Sequence, residues 1–422
     1  MSDAISSSSG QVPDTVPSRP RKGRRYLALA VATLWLVLAC WQAPAVKLAN
    51  TSQIRGVWMT NTAAAINYFS FRLDDAVANL AKHRINTLYP SVWNQGYTLY
   101  GNEVTKQAGG HCCDRIANVP FYPFDDILYS LTRQAHRHHM RLIPWFEYGL
   151  MIPASSPIAR AHPDWLTTNR AGDIVPAPLS AHPLLPKPLK NFQLEISGGN
   201  IAWLNPMHPE VRQFLTDLIV DVVKRYPVDG IQLDDHFSLP VSMGYDPYSL
   251  QLYRDSHGGA PPPDDPSAPG WLAWRAHAIT SLLAEITQAV KQVRPEALIS
   301  VSPNPPGFAY NKYLQDWIHW VNLGIVDEVV VQLYRDDLGI FEQDLYNSGF
   351  HNLRDQVPIA IGLYTGPLTA AKDFKRTIEE ISAVHQAGYG GVSFFSWETT
   401  FWMLKKVSDI ELKQTLEQLF KF

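Results

Sequence analysis

Eight short runs rich in β-branched and apolar residues alternate with eight longer amphipathic ones from residue 54 onward, and few folds accommodate that order. The strand candidates are Arg55–Asn61, Asn86–Trp93, Arg141–Tyr148, Asp229–Asp235, Leu298–Ser302, Glu328–Tyr334, Ile359–Tyr364 and Gly391–Trp397. Helical patterns separate them at Leu73–Lys82, Phe124–His138, Pro209–Arg225, Trp274–Val293, Tyr313–Leu323, Phe341–Leu353, Ala370–Gln386 and Met403–Phe420. Strands that read as continuous apolar runs are buried on both faces, as in a parallel sheet covered by helices. Eight such units predict an α/β fold, a (β/α)8 TIM barrel spanning residues 54–422. A doubly wound open sheet is the rival, but no Gly-rich phosphate loop follows the first strand.

Two long insertions interrupt the repeat. Residues 150–206, between strands three and four, are rich in Pro, His and Trp, and residues 238–272, after strand four, carry Pro261-Pro262-Pro263. Both leave the C-terminal ends of strands, where barrel loops build active sites, so they are expected to wall an extended cleft.

Residues 1–18 are polar and Ser/Pro-rich, a disorder signature. Residues 19–45 read as an address: Arg19, Arg21, Lys22, Arg24 and Arg25 precede an apolar run from Tyr26 to Cys40. That order is the basic and apolar sequence of an export signal, and the run is short for a spanning helix. Val37-Leu38-Ala39-Cys40 resembles a lipobox, and Ala43-Pro44-Ala45 suits a signal peptidase. An uncleaved anchor is the third ending. All three predict an exported, periplasmic or otherwise extracytoplasmic domain, with the membrane as a partner through the N-terminal segment.

Composition narrows the partners. The formal net charge of −3 gives no electrostatic case for nucleic acid. Three cysteines, two of them adjacent, supply no disulfide framework. His111-Cys112-Cys113-Asp114 cannot readily converge on one ion, so it reads as a loop; no metal and no cofactor are expected. Of the 13 tryptophans, core packing accounts for most and sugar stacking for a few.

Polar residues cluster where the strands end. Strand three finishes in Trp145-Phe146-Glu147-Tyr148, strand four in Asp229-Gly230-Ile231-Gln232-Leu233-Asp234-Asp235-His236, strand six in Gln332-Leu333-Tyr334-Arg335-Asp336, and strand eight in Phe395-Ser396-Trp397-Glu398. Side chains alternate along a strand, so Gln232 and Asp234 share a face and Asp234 points into the mouth. Asp234, Glu147 and Asp235 are the candidate catalytic carboxylates, since two acids flanking a glycosidic bond divide acid and nucleophile or base roles. Trp93, Asn94, Trp145, His236, Gln332, Tyr334, Trp397 and Glu398 are the candidate substrate-binding residues. Each has a plainer reading: Asp234 could pair with an Arg, Glu398 could cap the last helix, and Asp229 is a turn or cap residue. His136, His138 and His139 read as a solvated helix end.

At these motifs the chain resembles the glycosyl-hydrolase-like 10 family of bacterial envelope proteins. The matching segments are Arg55-Gly56-Val57-Trp58-Met59-Thr60, Leu204-Asn205-Pro206 with His208-Pro209-Glu210-Val211-Arg212, and Asp229-Gly230-Ile231-Gln232-Leu233-Asp234-Asp235-His236-Phe237. The resemblance implies a barrel glycosidase acting on an envelope glycan, peptidoglycan strands stripped of peptides foremost. His236 departs from the aromatic usual at its position. A weaker resemblance links strand four to family 18 chitinases, with Asp229, Gly230 and Asp234 matching while Gln232 and His236 replace acids. That implies an N-acetylated amino-sugar glycan as one candidate substrate. The expected function is glycoside hydrolysis of a cell-envelope polysaccharide by carboxylate acid/base catalysis. Its rivals are a non-catalytic glycan-binding barrel and a metal-dependent deacetylase, the latter needing a His/Asp ligand set at the strand ends.

Overall fold

The computed structural model describes residues 26–33, 53–113, 126–176, 200–366, 371–402 and 404–420. The expected disordered stretch 1–18, the basic cluster 19–25, the lipobox Val37–Cys40, Ala43-Pro44-Ala45 and Asp114 lie outside them, as do residues 177–199 of the first insertion. The chain divides into two units, Met1–Gln42 and Ala43–Phe422. In the first, residues 26–33 form a helix with exposed side chains. Among the described residues no helix is long and apolar enough to cross a membrane.

The second unit is a closed barrel of parallel strands. They are β1 (Ile54–Met59), β2 (Thr87–Pro90), β3 (Arg141–Leu142 and Trp145–Phe146), β4 (Gly230–Asp234), β5 (Leu298–Ser302), β6 (Glu328–Gln332), β7 (Ile359–Tyr364) and β8 (Gly391–Phe395). β1 pairs with β2 and β8, and pairing then runs unbroken from β8 back through β7, β6 and β5 to β4. β3 completes the ring in two halves, the first on β2 and the second on β4. Pro144 lies at the break: it cannot donate, but its carbonyl accepts from Gln232 N at 2.8 Å, while Ile143 N donates to Leu88 O at 3.0 Å. The ring therefore closes across the interruption.

One long helix follows most strands: α1 (Leu73–Lys82), α2 (Ile127–Arg137), α3 (Pro209–Arg225), α4 (Pro269–Val293), α5 (Trp317–Asn322), α6 (Leu338–Asn347), α7 (Phe374–Gln386) and α8 (Asp409–Leu419). Their apolar stripes meet the outward-facing strand residues in one large outer core, with Val57, Leu142, Phe146, Ile231, Leu233 and Phe394 on its barrel side. Several helices lie outside the sequence expectation, among them Glu103–Gln107, Pro157–Ala161, Pro247–Ser256 and Pro306–Tyr313. Asn61–Phe69 follows β1 directly, capped by Thr60, whose Oγ1 accepts from Ala63 N. The expected last helix, Met403–Phe420, is observed as the shorter α8, and a further short helix, Trp397–Thr400, begins at the expected end of strand eight.

Alternate residues fill the barrel itself. Ile54, Trp58, Tyr89, Ile143, Trp145, Val330 and Ala360 pack inside it as a second, smaller cluster. Gly56 occupies an inward position, where a Cβ would stand 2.7 Å from both Ser393 Oγ and the Tyr89 ring. Most polar groups there are satisfied by one another, although Ser393 Oγ and Trp145 Nε1 have no hydrogen-bond partner among the described residues. Arg141 and Glu328 form a buried ion pair at 2.8 Å, with Tyr89 Oη and Ser300 Oγ donating to the other Glu328 oxygen at 2.8 and 3.1 Å. Gln232 continues the chain upward, donating to Ser300 Oγ at 3.0 Å and accepting from Trp58 Nε1 at 2.7 Å.

Removing one partner of a buried ion pair strands the other charge, at a cost of about 3–5 kcal/mol. Glu328→Ala is expected to lose stability on that scale in urea unfolding. Arg141→Met in the same chain should restore part of it. A loss below about 1 kcal/mol would show that the pair does not hold the barrel interior together.

Candidate active site

The inward positions continue past the strand ends at the same two-residue spacing, and there they turn polar. Thr60, Ser91, Glu147, Asp234, His236, Ser302, Asn304, Gln332 and Tyr334 all fall on this series. The C-terminal mouth of the barrel is thereby lined from six strands, the arrangement in which barrels carry chemistry.

Asp234 is 3% exposed. Its Oδ1 accepts from Ser302 Oγ at 2.7 Å and Gln332 Nε2 at 2.7 Å, and Gln315 Nε2 holds its backbone carbonyl at 3.0 Å. Burial, with the neighbouring Asp235 charge, raises its pKa to about 6. Glu147 follows the half of β3 that pairs with β4 and so stands next to Asp234, its Oε2 accepting from Ser91 Oγ at 2.7 Å and Asn94 Nδ2 at 2.6 Å. Burial pushes Glu147 up to about 7, Asp234 adding to the effect. Asp235 accepts from Asn304 Nδ2 at 2.7 Å.

His236 is the cation among them. Its Nδ1 stands 3.5 Å from Asp234 Oδ2, 3.6 Å from Asp235 Oδ1 and 3.0 Å from the Glu147 carbonyl oxygen. A carbonyl only accepts, so Nδ1 carries a proton. Burial alone would lower the imidazole pKa, but Asp235 and Asp234 overcome this and raise it to about 10. Asp234, Asp235 and His236 also bring ligand atoms within 4.8 Å of one another, a set that could hold a metal ion. In this geometry Nδ1 offers no lone pair to a metal. Ligation through it would require deprotonation and loss of its bond to the Glu147 carbonyl, so the trio fits a hydrogen-bonded ion cluster better.

The opposite side of the mouth is aromatic. Phe395 is its hub, with ring centroids 5.9 Å from Tyr334, 6.4 Å from Tyr364, 6.2 Å from Trp145 and 6.1 Å from Trp58. Tyr334 is pushed well above the ordinary phenol range by burial and by the Asp234 and Asp235 charges, which places it beside both.

Of the residues singled out from the sequence, the structure brings together Asp234, Asp235, Glu147, His236, Asn94, Gln332, Tyr334 and, at the barrel's inner edge, Trp145. Two tryptophans are elsewhere. β2 ends at Pro90, and Trp93 turns into the outer core, fully buried, its Nε1 donating to Gly149 O at 3.2 Å and its ring against Phe214. β8 ends at Phe395, so Trp397 opens a short helix, 2% exposed and stacked on Trp402. Glu398 is buried, its Oε1 accepting from Thr60 N at 3.2 Å and Thr60 Oγ1 at 2.5 Å, so it ties β8 to β1. His136 is no solvated helix end: it is 8% exposed, with Nε2 2.9 Å from Asp229 Oδ2. Asp229 in turn accepts from Leu142 N and steadies β3.

Ser91, Ser302, Asn304 and Phe395 were passed over. The signal for them was their place on the inward series; what hid them is that their partners lie on neighbouring strands. The motif around Asn205 is scaffolding. Asn205 Nδ2 donates to Asp246 Oδ1 and Ser249 Oγ, and Thr167 Oγ1 to Asp246 Oδ2, each at 2.9 Å, which stitches the two insertions together.

Converging carboxylates at the C-terminal mouth of a closed parallel barrel, Asp234 buried and Glu147 and Asp235 partly exposed, beside an aromatic wall, suit a barrel of the glycoside-hydrolase kind. The chain belongs to the glycosyl hydrolase-like 10 family, whose model matches residues 53–380. It is 24% identical to glycosyl hydrolase DigH of Escherichia coli strain K12, in a match covering 69% of this chain and 67% of that protein. Among solved structures it is similar to the glycoside hydrolase domain of PgaB (BpsB) from Bordetella bronchiseptica. That match has a TM-score of 0.59 at 13% identity and covers 86% of this chain and 99% of the other. Alpha-L-fucosidase isoenzyme 2 from Paenibacillus thiaminolyticus matches at a TM-score of 0.52 and 11% identity, over 83% of this chain and 46% of that one. At such identities both speak for the fold.

His236 makes stability depend on pH in a defined direction. Its pKa rises from 6.5 to about 10 on folding, so its contribution is complete below about 6.5 and fades as pH climbs through about 10. His236→Gln is therefore expected to unfold at lower urea than the parent at pH 6, with the gap narrowing as pH rises from about 6.5 to about 10 and closed above that. A gap that stays constant across this range would mean that the imidazolium does not balance the carboxylates.

Proposed function

We propose that this domain hydrolyses a β-linked, amino-sugar-containing glycan of the cell envelope, peptidoglycan strands first among the candidates. The observation that carries the reading is the pair of neighbouring acids at the mouth, the buried Asp234 and the partly exposed Glu147, with pKa values lifted to about 6 and about 7. Glu147 is the proton donor. Both its hydrogen-bond donors use Oε2, which leaves Oε1 to carry the proton to the leaving oxygen. Asp234 works ionised as nucleophile, base or orienting anion. Ser302 and Gln332 fix its Oδ1, and the His236 imidazolium faces Oδ2. Tyr334 and Phe395, backed by the buried Trp145, supply the apolar side on which a sugar ring packs. Asp235, held by Asn304, is the reserve carboxylate.

The two acids need opposite protonation states, so the rate should peak between about pH 6, where Asp234 ionises, and about pH 7, where Glu147 loses its proton. Asp234→Asn should cut turnover roughly 10²–10⁴-fold while the fold persists. Glu147→Gln should do the same on natural glycan but spare substrates with a good leaving group, and should abolish the alkaline limb. Reducing ends released from purified peptidoglycan, intact and peptide-stripped, give the readout. Sugar binding without release of ends by the parent protein would replace this reading with that of a glycan-binding barrel.

We infer, too, that the domain acts outside the cytoplasm and is tethered through residues 19–45. Support comes from the basic cluster ahead of the apolar run Tyr26–Cys40. On cell fractionation the full chain should partition with membranes and be open to externally added protease after outer-layer removal. A chain lacking residues 1–45 should remain in the cytosol. Cytosolic recovery of both would end the tether hypothesis.

A further inference from the structure

Cys112 and Cys113 are neighbours in space as well as in sequence. Their sulfurs stand 3.1 Å apart, with Cys112 half-buried and Cys113 buried. A disulfide between adjacent residues closes a ring of eight atoms that includes the peptide group joining them. Such a ring is strained, so the bond is more easily reduced than an ordinary disulfide and belongs to the labile rather than the structural kind.

The same peptide group holds part of the active-site scaffold. The Cys112 carbonyl accepts from Asn102 N at 2.7 Å and from Thr98 Oγ1 at 3.3 Å. Beside it the His111 carbonyl accepts from Thr105 Oγ1 at 2.9 Å, and the His111 ring stacks on Tyr97 with centroids 5.7 Å apart. Tyr97 and Thr98 form one strand of a small antiparallel hairpin; Trp93 and Asn94 form the other, Asn94 opposite Tyr97 and Trp93 opposite Thr98. Asn94 is the residue whose Nδ2 donates to the Glu147 carboxylate. The cysteine segment therefore grips one strand of the hairpin whose other strand holds Glu147. A planar trans peptide does not fit an eight-membered ring without twisting. Closing the ring turns the carbonyl on which Asn102 N and Thr98 Oγ1 depend.

We propose that Cys112 and Cys113 are a reversible redox pair, closing to a vicinal disulfide that loosens the hold of residues 102–113 on the hairpin carrying Asn94. The half-buried Cys112 thiolate attacks a small-molecule disulfide and displaces one thiol. Cys113 then attacks the Cys112 sulfur and displaces the second. In total two protons and two electrons pass to the oxidant, which leaves as two thiols, and one S–S bond forms in the protein. The consequence for Glu147 rests on its reading as proton donor; the disulfide and the release of the hairpin do not.

The test uses the full chain equilibrated with glutathione disulfide or with dithiothreitol, then quenched in acid and alkylated. The tryptic peptide 107–115 carries both cysteines and separates them from Cys40. After the oxidant it is expected to be lighter by two hydrogens and to take up no label; after dithiothreitol it should take up two labels. Hydrogen exchange in the two states reads the coupling. Asn102 N–H is expected to exchange about fivefold faster in the oxidised protein, through loss of one hydrogen bond. Faster exchange is also expected at Leu99 N–H, which closes the hairpin on Val92 O at 3.0 Å. A peptide that stays doubly labelled after the oxidant, or that carries glutathione, overturns the redox pair. Unchanged exchange at either amide overturns its hold on the hairpin. Both measurements are made on the parent protein without any glycan, so neither a misfolded variant nor failure of the glycosidase reading can obscure them.

Discussion

A closed parallel barrel points every second strand residue into a space too small for bulk water, so each polar group there must find its partner inside the protein. The interior of this chain answers that constraint largely by a chain of contacts rather than by an all-apolar filling, with Ser393 Oγ and Trp145 Nε1 left unpartnered among the described residues. At one end Arg141 answers Glu328; Ser300 and Gln232 carry the bonding upward to Trp58. Two residues above Gln232 on the same strand sits Asp234. The carboxylate most central to the mouth is thus the last member of a column whose lower members are already fixed, and its position follows from theirs.

The same enclosure sets the electrostatics. Three carboxylates converge at the mouth and His236 is the imidazolium set against them. In a low dielectric that ratio cannot keep all three acids at ordinary acidity. The outcome is divided: Asp234 and Asp235 face the imidazolium, whereas the Glu147 side chain has only the neutral donors Ser91 and Asn94. Glu147 is accordingly the acid pushed furthest up. His236 bonds only the Glu147 backbone carbonyl, and its charge reaches the Glu147 carboxylate as the smallest of the named effects, outweighed by burial. A neutral carboxyl and an ionised one can stand in the same mouth for that reason.

Periodicity made much of this legible. Six of the eight helical patterns fall on the long helices with small shifts at their ends, and Leu298–Ser302 and Ile359–Tyr364 coincide with β5 and β7. The inward orientation of Asp234 and Glu147 follows from counting in twos. Counting fails once a strand stops. Trp93 and Trp397 would have faced the mouth had β2 and β8 run to the expected ends, but β2 ends three residues before Trp93 and β8 two before Trp397. Contacts between strands were equally out of reach. Ser302 supports Asp234 because the β4–β5 register sets them side by side, and a single sequence carries no register.

The insertions show a different division of labour from the one their composition suggested. Prolines and aromatics in these stretches read as cleft walls, yet their described parts are mostly engaged with each other. Asp246 caps the helix Pro247–Ser256 and also binds Thr167 and Asn205, while Arg275 is wholly buried and donates to the carbonyls of Val241 and Met243. A loop that leaves a strand end with its own backbone carbonyls satisfied in this way behaves as an extension of the scaffold. Gly149, next to the site, takes φ +49°, and a Cβ there would meet the backbone of His236 and Phe237 within 2.7 Å. The loop leaving β3 is thus seated directly on the turn that carries His236. Fixing the insertions to one another fixes that turn, and with it the imidazolium on which the charge balance of the mouth depends.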